Sequence, residues 1–248
     1  MIPMMRPLLI ALQFLTCLPL RLREAPQPAE LGRSLLWYPL IGALIGSLLY
    51  GIDLVLGDAA LLLRATLLLV VWVTITGALH LDGLADSADA WVGGHGDRER
   101  MLTIMKDPHV GPCAVVSLTL VLLLKFSALC AVLEHGQRIM LFLPPLLARC
   151  AMPALFASTP YVRPSGIASA HAAHLPRRAA IVTVAATLTG VLLLFGKSAV
   201  VGTATAALVF ILLRRLLLRS LGGTTGDTAG AVVEIIEVAV LTAAGLRG

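Results

Sequence analysis

Seven mostly apolar stretches follow one another along this 248-residue chain: 35–56, 61–79, 112–133, 139–157, 179–195, 199–218 and 229–246. Each is close to the roughly 20 residues an α-helix needs to cross about 30 Å of hydrocarbon. A backbone inside lipid has to satisfy its own N–H and C=O groups, which leaves only helices and closed barrels. No alternation of polar and apolar residues runs long enough for barrel strands. Composition agrees: 58% of residues are hydrophobic, 13% are charged, and the mean hydropathy is +0.92, whereas soluble domains carry about 25% charged residues. An ordinary water-soluble enzyme, a disordered chain and a nucleic-acid binder working through its net charge of +5 are therefore excluded. The expected fold class is all-α: a polytopic helical membrane protein of about seven transmembrane helices, forming one integral membrane domain over 1–248.

The N-terminus resembles a signal peptide, with Arg6 before an apolar run from Leu8 to Leu20. It lacks a small-x-small cleavage site, so 1–34 reads as a retained interfacial segment. Cys17, Cys113, Cys130 and Cys150 sit in or beside apolar runs without C-x-x-C spacing and read as small buried hydrophobes. If all seven stretches cross, one side receives Arg21, Arg23, Arg33, Arg98, Arg100, Lys106, Arg163, Arg177, Arg178, Arg214, Arg215 and Arg219. The other receives Arg138, Lys197 and Arg247. Lys and Arg are retained in the cytoplasm during insertion, so the richer side, with the long polar loops, is expected to be cytoplasmic.

Acidic residues are the scarce resource, and their placement is informative. Of 14 Asp and Glu, six fall between Asp82 and Asp107 (with Asp86, Asp89, Asp97 and Glu99), and three more are Asp227, Glu234 and Glu237. In HLDGLADSADAW (80–91), Asp82, Asp86 and Asp89 are spaced i, i+4, i+7, which on a helix puts three carboxylates on one face. Like charges so stacked call for a cation. Mg²⁺ suits an all-oxygen site where a phosphate supplies the remaining ligands. The segment 80–111 continues with glycines at 93, 94 and 96, a short helix from Asp97 to Met105 capped by Asp97, and Lys106-Asp107-Pro108 as its end. Acids for a metal and Arg98, Arg100 and Lys106 for phosphate oxygens make the composition of a nucleotide or diphosphate site. His80, His95 and His109 lie in the same segment, with His80 a candidate site residue. His135, His171 and His174 read as surface residues.

A second cluster is LGGTTGDTAGAVVEIIE (221–237), within a predicted cytoplasmic loop at 219–228. Gly222, Gly223, Thr224, Thr225 and Gly226 form a small-residue turn whose amides are placed to cradle phosphate oxygens. No Lys follows the last Gly, so this is no Walker A loop. Asp227 is either a fourth metal ligand or merely the N-cap of the next helix. Glu234, seven residues on, is an ionisable group inside an apolar span and hence a candidate for function, with Arg149 or Lys125 as partner.

At HLDGLADSADAW, KDPHVG and GGTTGD the chain resembles the cobalamin synthase family, adenosylcobinamide-GDP ribazoletransferases. The likeness extends through QFLTCLPLR (13–21), WYPLIGALIG (37–46) and PYVRPSGIA (160–168). Ala90 stands where a Gly often follows the third Asp, and Pro112-Cys113 where a Gly-containing pair is common. The resemblance implies an inner-membrane, Mg²⁺-dependent enzyme of vitamin B12 assembly. Its substrates would be adenosylcobinamide-GDP and α-ribazole or its 5′-phosphate, with GMP released and a lipid bilayer around it. A homo-oligomer or a complex with other cobalamin-assembly enzymes is compatible with it.

The residue chemistry suits that reaction: a hydroxyl attacks phosphorus of an activated diphosphate and a nucleoside monophosphate leaves. Asp82, Asp86 and Asp89 would hold the metal on the diphosphate, Lys106, Arg98 or Arg100 would bind non-bridging oxygens, and Asp89 or Asp86 would take the hydroxyl proton. Asp107 joins this catalytic set. His80, Arg98, Arg100, Arg149, Gly222, Gly223, Thr225, Gly226 and Glu234 make up the expected substrate-binding set. The acid spacing also resembles that of CDP-alcohol phosphotransferases, whose full signature is absent. A secondary transporter would also carry intramembrane charges and broken helices, but no internal repeat is visible, and a structural subunit gives no reason for the acid face.

Overall fold

The computed structural model describes residues 5–22, 24–163 and 166–247. Arg23 of the basic side, and Pro164 and Ser165 of the 160–168 stretch, lie outside the described residues. Among the described residues twelve α-helices follow in order: α1 (Met5–Leu15), α2 (Pro28–Ser34), α3 (Tyr38–Leu56), α4 (Leu61–Ile75), α5 (Leu79–Gly93), α6 (Arg98–Ile104), α7 (Pro112–Glu134), α8 (Leu143–Ser158), α9 (Ile167–Ala173), α10 (Arg177–Phe195), α11 (Lys197–Ser220) and α12 (Gly226–Gly245).

Helix starts follow their prolines. Pro39, Pro112 and Pro144 sit in the first turns of α3, α7 and α8, where the missing N–H costs nothing and φ is already helical. Gly57 and Gly196, at φ +53° and +54°, end α3 and α10 and permit tight hairpins. Among the described residues six stretches are long and apolar enough to cross a membrane, and α4 with α5 makes a seventh only as a pair bent by 85°.

That bend corrects two expectations. The second span is not 61–79: α4 stops at Ile75, and the chain turns through Gly77 and Ala78, both in the left-handed region. Nor is 80–111 a loop. It is chiefly α5 and α6, with α5 bent by 85° away from α4. Helix formation there lets the backbone satisfy itself while one face packs on α12. The loop expected at 219–228 shrinks to 221–225, because α11 runs to Ser220 and α12 starts at Gly226.

α8 and α12 form the centre. α12 packs against α5, α7, α8 and α11, and α8 against α3, α10 and α12. Both are buried on nearly all sides, whereas α7, α10 and α11 expose most of theirs. Leu120, Leu193 and Leu208 point outward from these peripheral helices. Large exposed apolar faces are anomalous in water and expected in lipid. The chain is a multi-pass membrane protein.

Ion pairs tie the helices internally. At one end, buried Asp53 of α3 meets Arg64 of α4 and Arg138 after α7. In the middle, Lys125 of α7 lies 2.6 Å from Glu234 and 2.5 Å from Glu237 of α12. Arg149 of α8 pairs with Glu237, Trp72 Nε1 donates to Glu237 at 3.3 Å, and the Lys125 ammonium sits 4.8 Å above the Trp72 ring. Two cations and two anions thus cancel where an unpaired charge would be costly.

Candidate active site

The site forms at the bundle end opposite Asp53, where α5 crosses the start of α12. The crossing is close: a Cβ on Gly83 would lie 2.6 Å from the Asp227 carbonyl oxygen. Gly83 is therefore explained by packing, and that packing sets Asp82 and Asp86 beside Asp227.

The three carboxylates of α5 do share a face. Asp82, Asp86 and Asp89, with Lys106, Asp107 and Pro108, line a groove of about 340 Å³. The KDPHVG turn thus folds back over the acid helix. Burial pushes the Asp86 carboxyl up to about 6, helped by Asp82, Asp227 and Asp89 and opposed by Arg163. Asp89 spends one oxygen on the Gly111 amide (2.6 Å) and the other on Ala114 (2.9 Å), capping the N-terminus of α7 from another helix. Gly111 is needed there, since a Cβ would stand 2.6 Å from Asp89 Oδ1. Asp107 accepts from the His109 amide at 3.0 Å and meets the His109 ring at 2.6 Å, contacts that lower its pKa, the amide most. Lys106 has no acidic partner among the described residues and lies free at the groove's edge.

A second cleft, of about 250 Å³, adjoins the first and shares Asp82 with it. It is walled by rings from α1, α3, α8, α9 and the 160–163 segment, with His80, Asp82, Arg163 and Asp227 among its polar groups. Sequence reasoning did not single out Arg163 or Tyr161 as site residues. Arg163 Nη2 lies 2.8 Å from Asp227 Oδ2, and Tyr161 is held above its ordinary pKa chiefly by burial. Only the PYVR segment's nearness to GGTTGD, invisible along the chain, places them.

Several expected roles are corrected. Asp227 is not the N-cap of α12: Thr225 is, its hydroxyl accepting from the Thr228 amide while Thr228 Oγ1 accepts from the Thr225 amide. The GGTTGD turn does not offer a free row of amides, because Thr224 N–H donates to Pro160 O at 2.8 Å and Thr225 N–H is used in that cap. Gly223 is required for closeness, as a Cβ would stand 2.2 Å from Pro160 O. Gly222, Gly223 and Thr225 line neither cleft. The turn is a clasp that brings Arg163 to Asp227.

Glu234 and Arg149 do not reach either cleft; both are buried in the central ion-pair cluster, where charge neutralisation keeps them. Glu234 takes Lys125 as partner and Arg149 takes Glu237, which the i, i+3 spacing on one helix face would have flagged. Arg98 donates to Leu221 O at 2.7 Å, tying α6 to the clasp, and Arg100 is exposed on α6. Neither lines a cleft. His171 is no surface residue: it is buried against Phe14 and Tyr38. Asp97 caps α6 as expected.

Among the described residues no three His, Cys, Asp or Glu side chains converge as a ready-made metal cage. The donors that meet here are carboxylate oxygens, and their mutual repulsion at Asp86 is what a hard cation relieves. Mg²⁺ ordinarily takes one or two carboxylates and completes its shell with water and phosphate oxygens. Asp82, Asp86 and Asp227 suit that arrangement.

Against known families, the model for cobalamin-5-phosphate synthase matches residues 7–245. The chain belongs to the cobalamin-5-phosphate synthase family. An adenosylcobinamide-GDP ribazoletransferase of Pseudomonas fluorescens is 56% identical over 237 residues, covering 96% of this chain and 98% of that one. One from Stutzerimonas stutzeri is 56% identical over 243 residues, covering 98% and 99%, and one from Pseudomonas syringae is 55% identical over 237. No solved structure matches. Membership in the cobalamin-5-phosphate synthase family makes this multi-pass chain a transferase of cobalamin biosynthesis.

Proposed function

We propose that the chain joins adenosylcobinamide-GDP to α-ribazole or its 5′-phosphate and releases GMP, at the cytoplasmic face of the inner membrane. One observation carries the reading: the carboxylate groove with Lys106 at its edge and the ring-walled cleft open side by side, sharing Asp82. A transferase needs two substrate sites in contact, with charge control at the junction.

The acceptor hydroxyl oxygen forms a bond to the diphosphate phosphorus nearer the corrinoid. The P–O bond to the GMP phosphate breaks, and GMP leaves with that electron pair. Asp82, Asp86 and Asp227 would hold Mg²⁺, and the ion would supply charge neutralisation of the diphosphate and of the leaving group. Lys106 binds a non-bridging oxygen as a mobile point charge. Asp86 or Asp89 would take the hydroxyl proton. Asp107 is fixed by its own turn and supports the KDPHVG turn that carries Lys106.

Orientation rests on charge. Arg33, Arg98, Arg100, Lys106, Arg163, Arg177, Arg178 and Arg219 lie at the site end of the bundle, and Arg64, Arg138, Lys197 and Arg247 at the other. Cytoplasmic retention of Lys and Arg puts the site inside. Purified protein in lipid micelles should release GMP only with both substrates and Mg²⁺ present. GMP release that is indifferent to the acceptor would refute the reading.

A further inference from the structure

The ring-walled cleft has a chemistry of its own. Phe14, Tyr38 and His171 stand against one another, with centroids 6.3 Å (Phe14–Tyr38), 5.3 Å (Phe14–His171) and 6.4 Å (Tyr38–His171) apart, and Phe156 and Tyr161 pair at 6.1 Å in the same cleft. Beside these rings the cleft holds Asp82, Arg163, Asp227 and His80. His80 is 2% exposed, faces the cleft, and has no hydrogen-bond partner for Nε2 among the described residues. Its Nδ1 lies 3.4 Å from Arg149 Nη2. A guanidinium has donors only, so Nδ1 accepts and the ring proton is on Nε2. Arg149 is itself held by Glu237, so the buried charge cluster orients this imidazole. A buried N–H with no acceptor is unfavourable until a ligand supplies one.

We propose that this cleft seats the base of the acceptor nucleoside: a flat, uncharged aromatic heterocycle between the ring walls, with His80 Nε2–H donating to a ring nitrogen. The assignment rests on the reaction proposed above. Because Asp82 lines both clefts, a base seated here directs its sugar past Arg163 and Asp227 toward the diphosphate groove. His80 and the aromatic walls thus determine which bases are accepted, and Arg149 is a positioning residue.

The test is steady-state kinetics of the full-length protein in lipid micelles, read by GMP release. Phe156→Ala should raise KM for α-ribazole at least tenfold and leave KM for adenosylcobinamide-GDP within twofold. His80→Gln, which keeps an N–H, should retain more acceptor affinity than His80→Leu. Because Phe156 and His80 are buried, a measurement on the unaltered protein stands beside the variants: free benzimidazole should inhibit competitively with α-ribazole and not with adenosylcobinamide-GDP. Competition with adenosylcobinamide-GDP instead, or an unchanged acceptor KM in both Phe156→Ala and His80→Leu, would overturn the assignment while leaving the reaction intact. Unaltered protein that releases no GMP from the two substrates would overturn the reaction, and this subsite with it.

Discussion

Lys125→Met isolates the central charge cluster from the site. Lys125 is 2% exposed and is the only cation within 4 Å of Glu234 among the described residues; it also shares Glu237 with Arg149. Methionine keeps the length and apolar stem of lysine but leaves two carboxylates facing one guanidinium. Removing one partner of a buried ion pair costs about 3–5 kcal/mol, because the remaining charge stays desolvated. For a chain of this size each kcal/mol moves the midpoint by about 2–4 °C, so a fall on the order of 10 °C is expected. The second step is the double variant Lys125→Met/Glu234→Gln, which restores neutrality with one anion and one cation. It should recover at least about 2 kcal/mol of the loss, a coupling within the range measured for contacting groups. The assay is thermal unfolding in detergent micelles followed by tryptophan fluorescence, which Trp72 under the Lys125 ammonium should report directly. A single variant within about 2 °C of the unaltered protein, or a double variant no better than the single, would refute the neutralisation argument.

Asp82→Asn and Asp86→Asn should each lower GMP release at least about a hundredfold with little change in melting temperature, since exposed or half-buried carboxylates in a like-charged group do not stabilise the fold. Because Asp86 is pushed up to about 6, its ionised form is lost as pH falls through that value. Activity at limiting Mg²⁺ should therefore halve near pH 6, and saturating Mg²⁺ should move that midpoint lower; a midpoint that ignores Mg²⁺ would separate Asp86 from the metal. Thr225→Ala should cost about 1 kcal/mol in stability through the lost cap and leave the Mg²⁺ requirement alone, whereas Asp227→Asn should do the reverse. For topology, Glu99→Cys in a background without native cysteines places a thiol on an exposed α6 position; labelling by an impermeant reagent from the periplasmic side would contradict a cytoplasmic site.

The helical class, the approximate spans, the side that carries the basic residues and the acid face of α5 were all legible along the chain. Each depends on a periodicity or a composition over adjacent residues, which lipid and helix geometry impose locally. Asp82, Asp86 and Asp89 share a face because helix pitch requires it, and Asp97 caps α6 because its oxygen lies next to the amides it serves. What a residue does with a distant partner was not legible. Asp227 read as either a metal ligand or a cap until the fold placed Thr225 at the cap and Arg163 against the carboxylate. Asp89 read as a ligand alone, yet it also closes the N-terminus of a helix that starts more than twenty residues later. The GGTTGD amides looked free because their acceptor, Pro160 O, lies on another segment. Glu234 and Arg149 looked like substrate contacts because an intramembrane charge signals function only when nothing nearby neutralises it, and Lys125 and Glu237 do so here. Charge pairing, capping across helices and the joining of two clefts at Asp82 depend on distances between segments, and only the packing of α5 and α8 around α12 sets those distances.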